Sequence, residues 1–203
     1  MRLYGDMLSP FVRMCFVTAH EVGLGDKVIH ERESVSPTAP NPRLVALSPI
    51  GKVPVLETDH GHAVYDSRVI MEYLCHVAGN TALIPDDGVK RFRVLTLQAL
   101  GLGLGDAAVG LRYETAARPA ALHWPEWSAR LKARIAAACD ELESKWASSL
   151  ADVNAGSIAV GVVLSYVGYR LPDLRWQDGR PKLAAFHAGF ASRESMLRTP
   201  IGT

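Results

Sequence analysis

The stretch SPFVRMCF, residues 9–16, follows the short apolar run MRLYG and sets the pattern of the first half of the chain. A serine followed by a proline often starts a helix, because the serine oxygen accepts first-turn N–H groups and proline suits the first helical position. Apolar residues then recur at helical spacing from Phe11 to Val22, and Gly23 is typical of a helix end. The sequence therefore predicts a strand over residues 2–5 followed directly by a helix.

Alternating strand and helix signals continue outward to residue 79. Three short runs are predicted strands, namely DKVIHER at 26–32, KVPVLET at 52–58 and HAVYD at 62–66. The Pro- and Ser-rich segment 34–51 is a predicted loop with at most a short helix over Pro42–Leu47. Residues 66–79 predict an amphipathic helix, capped by Asp66 or Ser67 and ended by Gly79. Its expected apolar face consists of Val69, Ile70, Tyr73, Leu74 and Val77.

The character of the chain changes after the linker NTALIPDDG at 80–88, because only helical signals follow. The predicted helices cover residues 89–119, 124–152, 157–171 and 180–195. The third of them is apolar nearly all round, which is typical of a buried core helix. We therefore predict an α/β domain over residues 1–79, with the order β-α-β, β-β-α, and an all-α domain over residues 89–203.

Composition argues against several classes of protein. The 203 residues carry a formal net charge of +1 without a basic cluster, which argues against nucleic-acid binding. The three cysteines form no C-x-x-C pair, and His60 and His62 lie in a predicted turn without a third ligand, so no metal site is expected. No signal peptide or membrane span is expected, since no h-region and no run of about 18 apolar residues is evident. We expect a cytoplasmic location.

Several motifs follow one another in a recognisable order. The strongest are SPFVR at 9–13, GKVPVL at 51–56 and YDSRVIMEYL at 65–74. In this order and spacing they resemble the glutathione S-transferase superfamily, and SPFVR is similar to its bacterial serine-type members. Further motifs that resemble this branch are GDAAV at 105–109, RYE at 112–114 and RP at 118–119. The resemblance implies a thioredoxin-like, glutathione-binding domain over 1–79 and a helical domain over 89–203 that contributes an electrophile pocket.

The same resemblance implies an activity and its partners. We expect a glutathione transferase that activates the glutathione thiolate for conjugation to hydrophobic electrophiles, as in detoxification. Glutathione is then a co-substrate, no metal takes part, and the protein is a homodimer without a nucleic-acid or membrane partner. Two alternatives stay open: a non-catalytic binding or regulatory module, and a glutathione-dependent isomerase or dehalogenase. SPFVR lacks the cysteine that such isomerases tend to carry in this loop.

Ser9 has two interpretations that share one location. A helix cap alone explains both Ser9 and Pro10. The resemblance implies a catalytic role, in which the Ser9 hydroxyl donates a hydrogen bond to the glutathione sulfur at a helix end that itself favours a thiolate. Lowering a thiol pKa from about 8.5 to about 7 takes roughly 2 kcal/mol. One hydrogen bond to a charged group supplies about that much.

The resemblance assigns further residues to glutathione. A cis Val53–Pro54 bond is implied, which would turn the Val53 backbone towards the cysteinyl part of glutathione, like an added strand. Ser67 would bind the γ-glutamyl carboxylate and Asp66 the adjacent ammonium, although a helix cap also explains both. Lys52 either reaches the glycyl carboxylate or is a solvated strand lysine. The expected glutathione-binding set is Ser9, Phe11, Lys52, Val53, Pro54, Asp66 and Ser67.

Other chemically notable side chains are expected to be structural. Arg13 can line the cleft but is expected at the surface or in a structural pair, and Cys15 is expected to be a buried, inert thiol in preference to a redox cysteine. Tyr113 and Trp124 can line a pocket, but aromatic residues on long helices more often belong to the core.

Two glycine and capping patterns concern the helical domain. The series G-x-G-x-G at 101–105 lies in a helical pattern without a preceding strand, so it favours close helix packing over a nucleotide site. Family members typically carry Ser or Thr and then Asp three residues later where the core helix starts. Here Ser157 is followed by Val160, so this helix is expected to start at Ser157 with weaker capping.

Overall fold

The computed structural model describes residues 1–202, and the strands lie in the first part of the chain. Within these residues a mixed four-stranded sheet has the order β2-β1-β3-β4. Its strands are β1 (Arg2–Tyr4), β2 (Ile29–Glu31), β3 (Val55–Glu57) and β4 (Ala63–Val64). β1 is parallel to β2 and antiparallel to β3, which is antiparallel to β4. The predicted strands are confirmed, although β3 begins after Pro54, which has no N–H for a ladder bond.

Three helices accompany the sheet: α1 (Pro10–Glu21), α2 (Pro42–Leu47) and α3 (Ser67–Val77). Gly23 and Gly79 follow α1 and α3 with φ of 75° and 63°, the left-handed backbone that ends many helices. The helix starts predicted after Ser9 and at Pro42 are therefore confirmed, as are both glycine stops.

The apolar face predicted for α3 is partly wrong. Val69 and Val77 are about half exposed, whereas Met71 and Cys75 are buried beside Ile70 and Leu74. Each helical residue turns by about 100°, so the buried face is rotated by roughly one position from the predicted one. The side chains of α3 that are buried are those on the side that packs on α1. The pattern of apolar residues in α3 does not reveal which side this is.

The second half of the chain is helical, as predicted. Its helices are α4 (Gly88–Arg112), α5 (Pro125–Glu141), α6 (Ala155–Arg170), α7 (Pro181–Ala191) and the single turn α8 (Glu194–Leu197). π-helical turns extend α4 through Tyr113–Ala117 and α5 through Leu142–Trp146. α6 is buried on nearly every side, with each residue from 155 to 164 buried, so the predicted core helix is confirmed.

Small residues let α4 and α6 approach closely. A Cβ atom added to Gly101 would lie 3.0 Å from both the Ala159 Cβ and the Val160 backbone nitrogen. A Cβ on Gly156 would lie 2.6 Å from the Leu97 Cγ. The packing interpretation of the glycine series is therefore confirmed at Gly101.

α6 begins two residues earlier than predicted, at Ala155. Asn154, not Ser157, caps the helix, and its side-chain oxygen accepts the N–H groups of Gly156 and Ser157 at 2.9 and 3.0 Å. Ser157 lies at the third helical position, and its hydroxyl oxygen accepts the Asn154 N–H at 2.9 Å. These reciprocal bonds form a complete capping box. Val160 is therefore one turn into the helix, and the expectation of weaker capping is wrong.

We expect Asn154→Ala to lower the free energy of unfolding by about 2 kcal/mol. The substitution leaves two buried N–H groups without their acceptor. Urea denaturation followed by circular dichroism measures the loss. Asn154→Ser is the matched control, since serine is also a good cap, and it should retain most of the stability. An alanine variant as stable as the serine variant would contradict the role of this cap.

The chain divides into two compact units. The first comprises Met1–Arg91 together with the chain from Glu194 onward, and the second comprises Phe92–Arg193. α8 packs on α1 and thus belongs to the first unit, whereas the sequence places residues from 194 onward with the helical domain.

One helical stretch, Gly88–Ala117, is long and apolar enough to cross a membrane by length and composition, although the sequence alone suggested none. Its most apolar window has a mean hydropathy of 1.5, and 50% of that window is buried within the protein. Core helices of soluble proteins have the same length and composition.

Candidate functional site

Ser9 occupies the cap position of α1 with extended backbone, φ −75° and ψ 121°. Its hydroxyl oxygen lies 3.4 Å from the Val12 nitrogen, which is longer than the usual 2.7–3.2 Å of an N–H···O bond. Within residues 1–202 the hydroxyl hydrogen has no acceptor, and the side chain is half-buried. Ser9 is therefore a weak cap whose hydroxyl remains able to donate a hydrogen bond.

A set of short hydrogen bonds holds the loop that leads to Ser9. The Ser9 N–H donates to the Asp6 carbonyl at 2.9 Å, and the Leu8 N–H donates to the Asp6 carboxylate at 2.8 Å. The Gly5 N–H donates to the Glu31 carbonyl at 3.0 Å, and the Gly5 carbonyl lies 2.7 Å from the His30 Nε2. The backbone before Ser9 is thus fixed to β2 by main-chain and histidine contacts.

Gly5 is a site residue that the sequence did not identify. Its φ is 143°, a conformation that favours glycine, and a Cβ atom there would lie 2.3 Å from the Val12 Cγ2. The same Cβ would lie 3.1 Å from the Val53 Cβ, so Gly5 brings the Ser9 loop against the predicted Val53–Pro54 site. A glycine just before the S-P start of a helix is the signal that would have revealed it.

The Val53–Pro54 peptide bond is cis, as the resemblance implies. Val53 is half-buried and Pro54 is buried. Neither the N–H nor the carbonyl of Val53 has a hydrogen-bond partner within residues 1–202. Lys52 is exposed and forms no ion pair with a described residue.

Asp66 and Ser67 divide their roles at the start of α3. The Asp66 carboxylate caps the helix by accepting the Arg68 N–H at 3.0 Å, and its other oxygen lies 3.8 Å from the Arg68 guanidinium. Ser67 is the first helical residue and is buried, and its hydroxyl forms no hydrogen bond with another described residue. The Tyr65–Asp66 bond is also cis. Of the two predicted caps, Asp66 is the cap, and the Ser67 hydroxyl is left available.

Cys15 joins the two helix starts. Its sulfur lies 3.3 Å from the Phe11 carbonyl in α1 and 3.8 Å from the Ser67 carbonyl in α3. The side chain is fully buried, and burial holds the pKa of the Cys15 thiol well above its ordinary value, with the Asp66 carboxylate adding to the shift. Cys15 is therefore the buried thiol that the sequence predicts, and it sets the first turns of α1 and α3 side by side.

One of the two alternatives predicted for Arg13 is wrong, and so is the prediction for two aromatic residues. Arg13 is only 5% exposed, so the surface interpretation is wrong, and its guanidinium donates to the carbonyls of Thr199 and Met196. Trp124 is 62% exposed and Tyr113 is 38% exposed, so the core interpretation of both is wrong. Both aromatic residues lie at the edges of a turn between α4 and α5, where the chain leaves the helical core.

Glu114, in the RYE motif, is a buried carboxylate that the sequence did not identify. It accepts the Trp124 N–H at 2.6 Å and the Arg118 Nε–H at 2.7 Å. The bond from the Trp124 backbone, and then Arg118, hold the pKa of Glu114 below its ordinary value despite burial. The RYE and RP motifs therefore have a structural role, because Glu114 ties the turn from Arg118 to Trp124 onto the end of α4. The spacing of Glu114 and Arg118 by four residues in a helix was the available signal.

Within residues 1–202, no group of three or more His, Cys, Asp or Glu side chains is arranged to hold a metal ion. His60 and His62 lie in the hairpin turn, where the Thr58 N–H donates to the His62 carbonyl at 2.9 Å and the Gly61 N–H donates to the Thr58 carbonyl at 3.0 Å.

Comparison with known sequences gives related proteins along the whole chain. The family described as "Glutathione S-transferase, N-terminal domain" matches residues 8–77, which contain Ser9, Val53–Pro54 and Asp66–Ser67. The uncharacterized GST-like protein YibF of Escherichia coli K12 is 32% identical over 203 residues, covering 98% of each chain. A glutathione S-transferase of Pseudomonas putida is 31% identical over 97 residues, covering 48% of this chain and 41% of its own length.

Solved structures agree with this relationship. A glutathione transferase family member from Pseudomonas fluorescens Pf-5, crystallised with bound glutathione, has a TM-score of 0.97 at 38% identity, covering 100% of this chain and 99% of its own. A glutathione S-transferase from Methylobacillus flagellatus KT, also with glutathione bound, has a TM-score of 0.84 at 28% identity and 98% coverage of each chain. With a thioredoxin-like sheet domain, a helical second part and full-length relatives, the chain belongs to the glutathione S-transferase family.

Proposed function

We propose that this protein is a serine-type glutathione S-transferase, which binds glutathione, activates its thiol through Ser9 and joins the glutathione sulfur to a hydrophobic electrophile. The observation that carries the proposal is the Ser9 hydroxyl at the start of α1, which caps its own helix only weakly at 3.4 Å. Two further helix-start groups, Asp66 and Ser67, lie beside that turn through the contacts of Cys15. The glutathione-bound relatives with the same fold support this choice of ligand.

The sulfur is stabilised as a thiolate by the end of α1. The Ser9 hydroxyl donates one charge-assisted hydrogen bond, and the first-turn N–H groups, which have no acceptor within the helix, add their positive dipole end. Such a hydrogen bond is worth about 1.5–3 kcal/mol, which is enough to lower a thiol pKa by one to two units. Ser9 acts as a donor throughout, and the thiol proton passes to solvent water, which suffices once the thiol pKa is near 7.

Other residues of the proposed site bind the rest of glutathione. The Ser67 hydroxyl and the α3 start hold the γ-glutamyl carboxylate, and Asp66 holds the ammonium group. The unpaired backbone groups of Val53 bind the cysteinyl residue as a neighbouring strand would. Lys52 neutralises the glycyl carboxylate, and Phe11 lies in the turn that meets the sulfur.

A cytoplasmic homodimer acting in detoxification completes the proposal. Cys15, Cys75 and Cys139 are all free and buried, which fits a reducing compartment.

Retention on immobilised glutathione, followed by conjugation of glutathione to an aromatic chloride, tests the proposed function. We expect both retention and conjugation. Retention without conjugation to any of several electrophiles would favour the non-catalytic module, and absence of binding at millimolar glutathione would rule out every glutathione-dependent function. Conversion of an isomerisable or halogenated substrate, without aromatic conjugation, would favour the isomerase or dehalogenase alternative.

We expect Asp66→Asn to raise the dissociation constant for glutathione about tenfold, because the variant loses the charge that pairs with the ammonium group. Asparagine is as good a cap as aspartate, so the stability of α3 should not change. Isothermal titration calorimetry measures the affinity, and thermal unfolding checks the cap. Asp26→Asn is the control, since this exposed carboxylate lies 3.7 Å from Arg198 and outside the proposed site. Equal affinities of the two variants would remove Asp66 from the site.

A further inference from the structure

Arg13 lies one turn into α1 and is connected directly to Ser9. The Arg13 N–H donates to the Ser9 carbonyl at 3.0 Å, the first main-chain bond of the helix. Four residues correspond to about 6 Å along a helix axis. A displacement of Arg13 therefore moves the turn that carries the Ser9 hydroxyl.

Segment 194–202 holds the Arg13 side chain. The Nε–H donates to the Thr199 carbonyl at 2.6 Å, and Nη2 donates to the Met196 carbonyl at 3.2 Å. Thr199 and Met196 are themselves buried. The planar guanidinium fork can hold two carbonyls in fixed directions, which a lysine ammonium cannot do in the same way. The hydrogen bonds of Arg13 therefore fix its orientation relative to segment 194–202.

Burial of the Arg13 charge costs free energy, so stability alone does not explain an arginine at this position. The side chain is 5% exposed, its partners are neutral carbonyls, and its Nη1 is buried without a hydrogen-bond partner within the described residues. Burial lowers the pKa of the guanidinium to about 10, so the group keeps its charge at neutral pH. Burying a charge that no carboxylate compensates is unfavourable.

Segment 194–202 also contacts the opposite end of α1. The Ser195 hydroxyl donates to the Glu21 carboxylate at 2.6 Å. α1 is therefore attached to this segment at Arg13, near Ser9, and at Glu21, about three turns from Ser9. Because there are two attachments, variants can distinguish an effect on the position of the whole helix from an effect on the orientation of its first turn.

We propose that Arg13 is a positioning residue for sulfur activation: by holding the carbonyls of Met196 and Thr199 it fixes the first turn of α1, so that the Ser9 hydroxyl meets the glutathione sulfur. The inference rests on the proposed function and assigns segment 194–202 a part in the same site. Hydrogen bonds weaken steeply as distance and angle depart from their optimum, and a misplacement of about 1 Å can cost about 100-fold in rate.

Arg13→Met and Arg13→Lys, compared with Ser195→Ala, test this role in conjugation of glutathione to an aromatic chloride. We expect Arg13→Met to lower kcat about tenfold with KM for glutathione within about twofold of wild type, because Asp66, Ser67 and Val53 still bind the tripeptide. Arg13→Lys keeps the positive charge but not the planar guanidinium, so its kcat should lie between those of wild type and Arg13→Met. Ser195→Ala breaks the far attachment, so its kcat should match wild type even where its melting temperature falls.

Thermal unfolding identifies the temperature at which each variant is folded, and kcat is measured below it. If Arg13→Met does not fold, Arg13→Lys carries the test. Three outcomes would overturn the inference and leave the proposed function standing. The first is a wild-type kcat in a folded Arg13→Lys or Arg13→Met variant, and the second is a change in KM for glutathione without a change in kcat. The third is a loss of kcat in Ser195→Ala equal to that in the Arg13 variants. A wild-type protein without glutathione binding or conjugation would overturn the proposed function, and the inference with it.

Discussion

Ser9→Ala is expected to lower kcat for glutathione conjugation about 10- to 100-fold at neutral pH while glutathione remains bound. The loss corresponds to removing one hydrogen bond to a charged sulfur, worth about 1.5–3 kcal/mol. Without the donor the thiol pKa rises, so the thiolate fraction at neutral pH falls. The acidic limb of the pH–rate profile should move up by one to two pH units, and ultraviolet titration of bound glutathione should show the same shift.

Ser9→Thr is the matched control for this prediction, because threonine keeps both the hydroxyl and a good cap. It should retain most of the turnover that alanine loses. The unfolding temperature should change little in either variant, since the cap bond that alanine removes is long, at 3.4 Å. An alanine variant with an unshifted thiol pKa would show that the backbone N–H groups of α1 stabilise the sulfur without Ser9.

Gly5→Ala is expected to cost about 3–5 kcal/mol of unfolding free energy, the largest stability effect among the variants considered. Two costs add: a strained backbone at φ 143°, and overlap with the Val12 side chain at 2.3 Å. The side chains nearest to Gly5, those of Val12 and Val53, are both branched at Cβ, so little space can be gained by rotation. Urea denaturation measures the loss, and activity should fall as well, because the loop before Ser9 must move.

Gly61→Ala is the control that separates the cost of the backbone conformation from the cost of steric overlap. Gly61 also has positive φ, at 76°, but a Cβ atom there would meet nothing within 4 Å. This control should lose only about 1 kcal/mol, the cost of the backbone conformation. If both variants lost the same stability, the contacts of Gly5 with Val12 and Val53 would not limit what this position accepts.

The local elements could be predicted from sequence because their signals are local. Ser9-Pro10, Gly23 and Gly79 mark helix ends through backbone chemistry that does not depend on distant residues. The α6 start shows the limit of this approach. A capping box can be satisfied by Asn154 and Ser157 as well as by the usual Ser and Asp, and only the hydrogen bonds reveal which register is used.

The parts of the site that depend on distant contacts could not be predicted. The carbonyls that hold Arg13 belong to Met196 and Thr199, which are separated from Arg13 by 183 and 186 positions in the sequence. No pattern around Arg13 indicates these partners. Val53 lies against Gly5 because β3 pairs with β1, a register that neither stretch specifies alone. Trp124 is exposed although aromatic residues favour the core, and its backbone N–H donates to Glu114, a contact that the sequence around Trp124 does not indicate.

The placement of segment 194–202 in the first compact unit has a consequence for biosynthesis. Ribosomes add about 5–20 residues per second, so roughly 5–20 seconds separate residue 91 from residue 194. During that interval the sheet and α1 can assemble, but the Arg13 guanidinium has not yet met Met196 and Thr199. The nascent first unit therefore waits with an unpaired cation beside the turn of Ser9, and its last contacts form only after the whole helical unit has been translated.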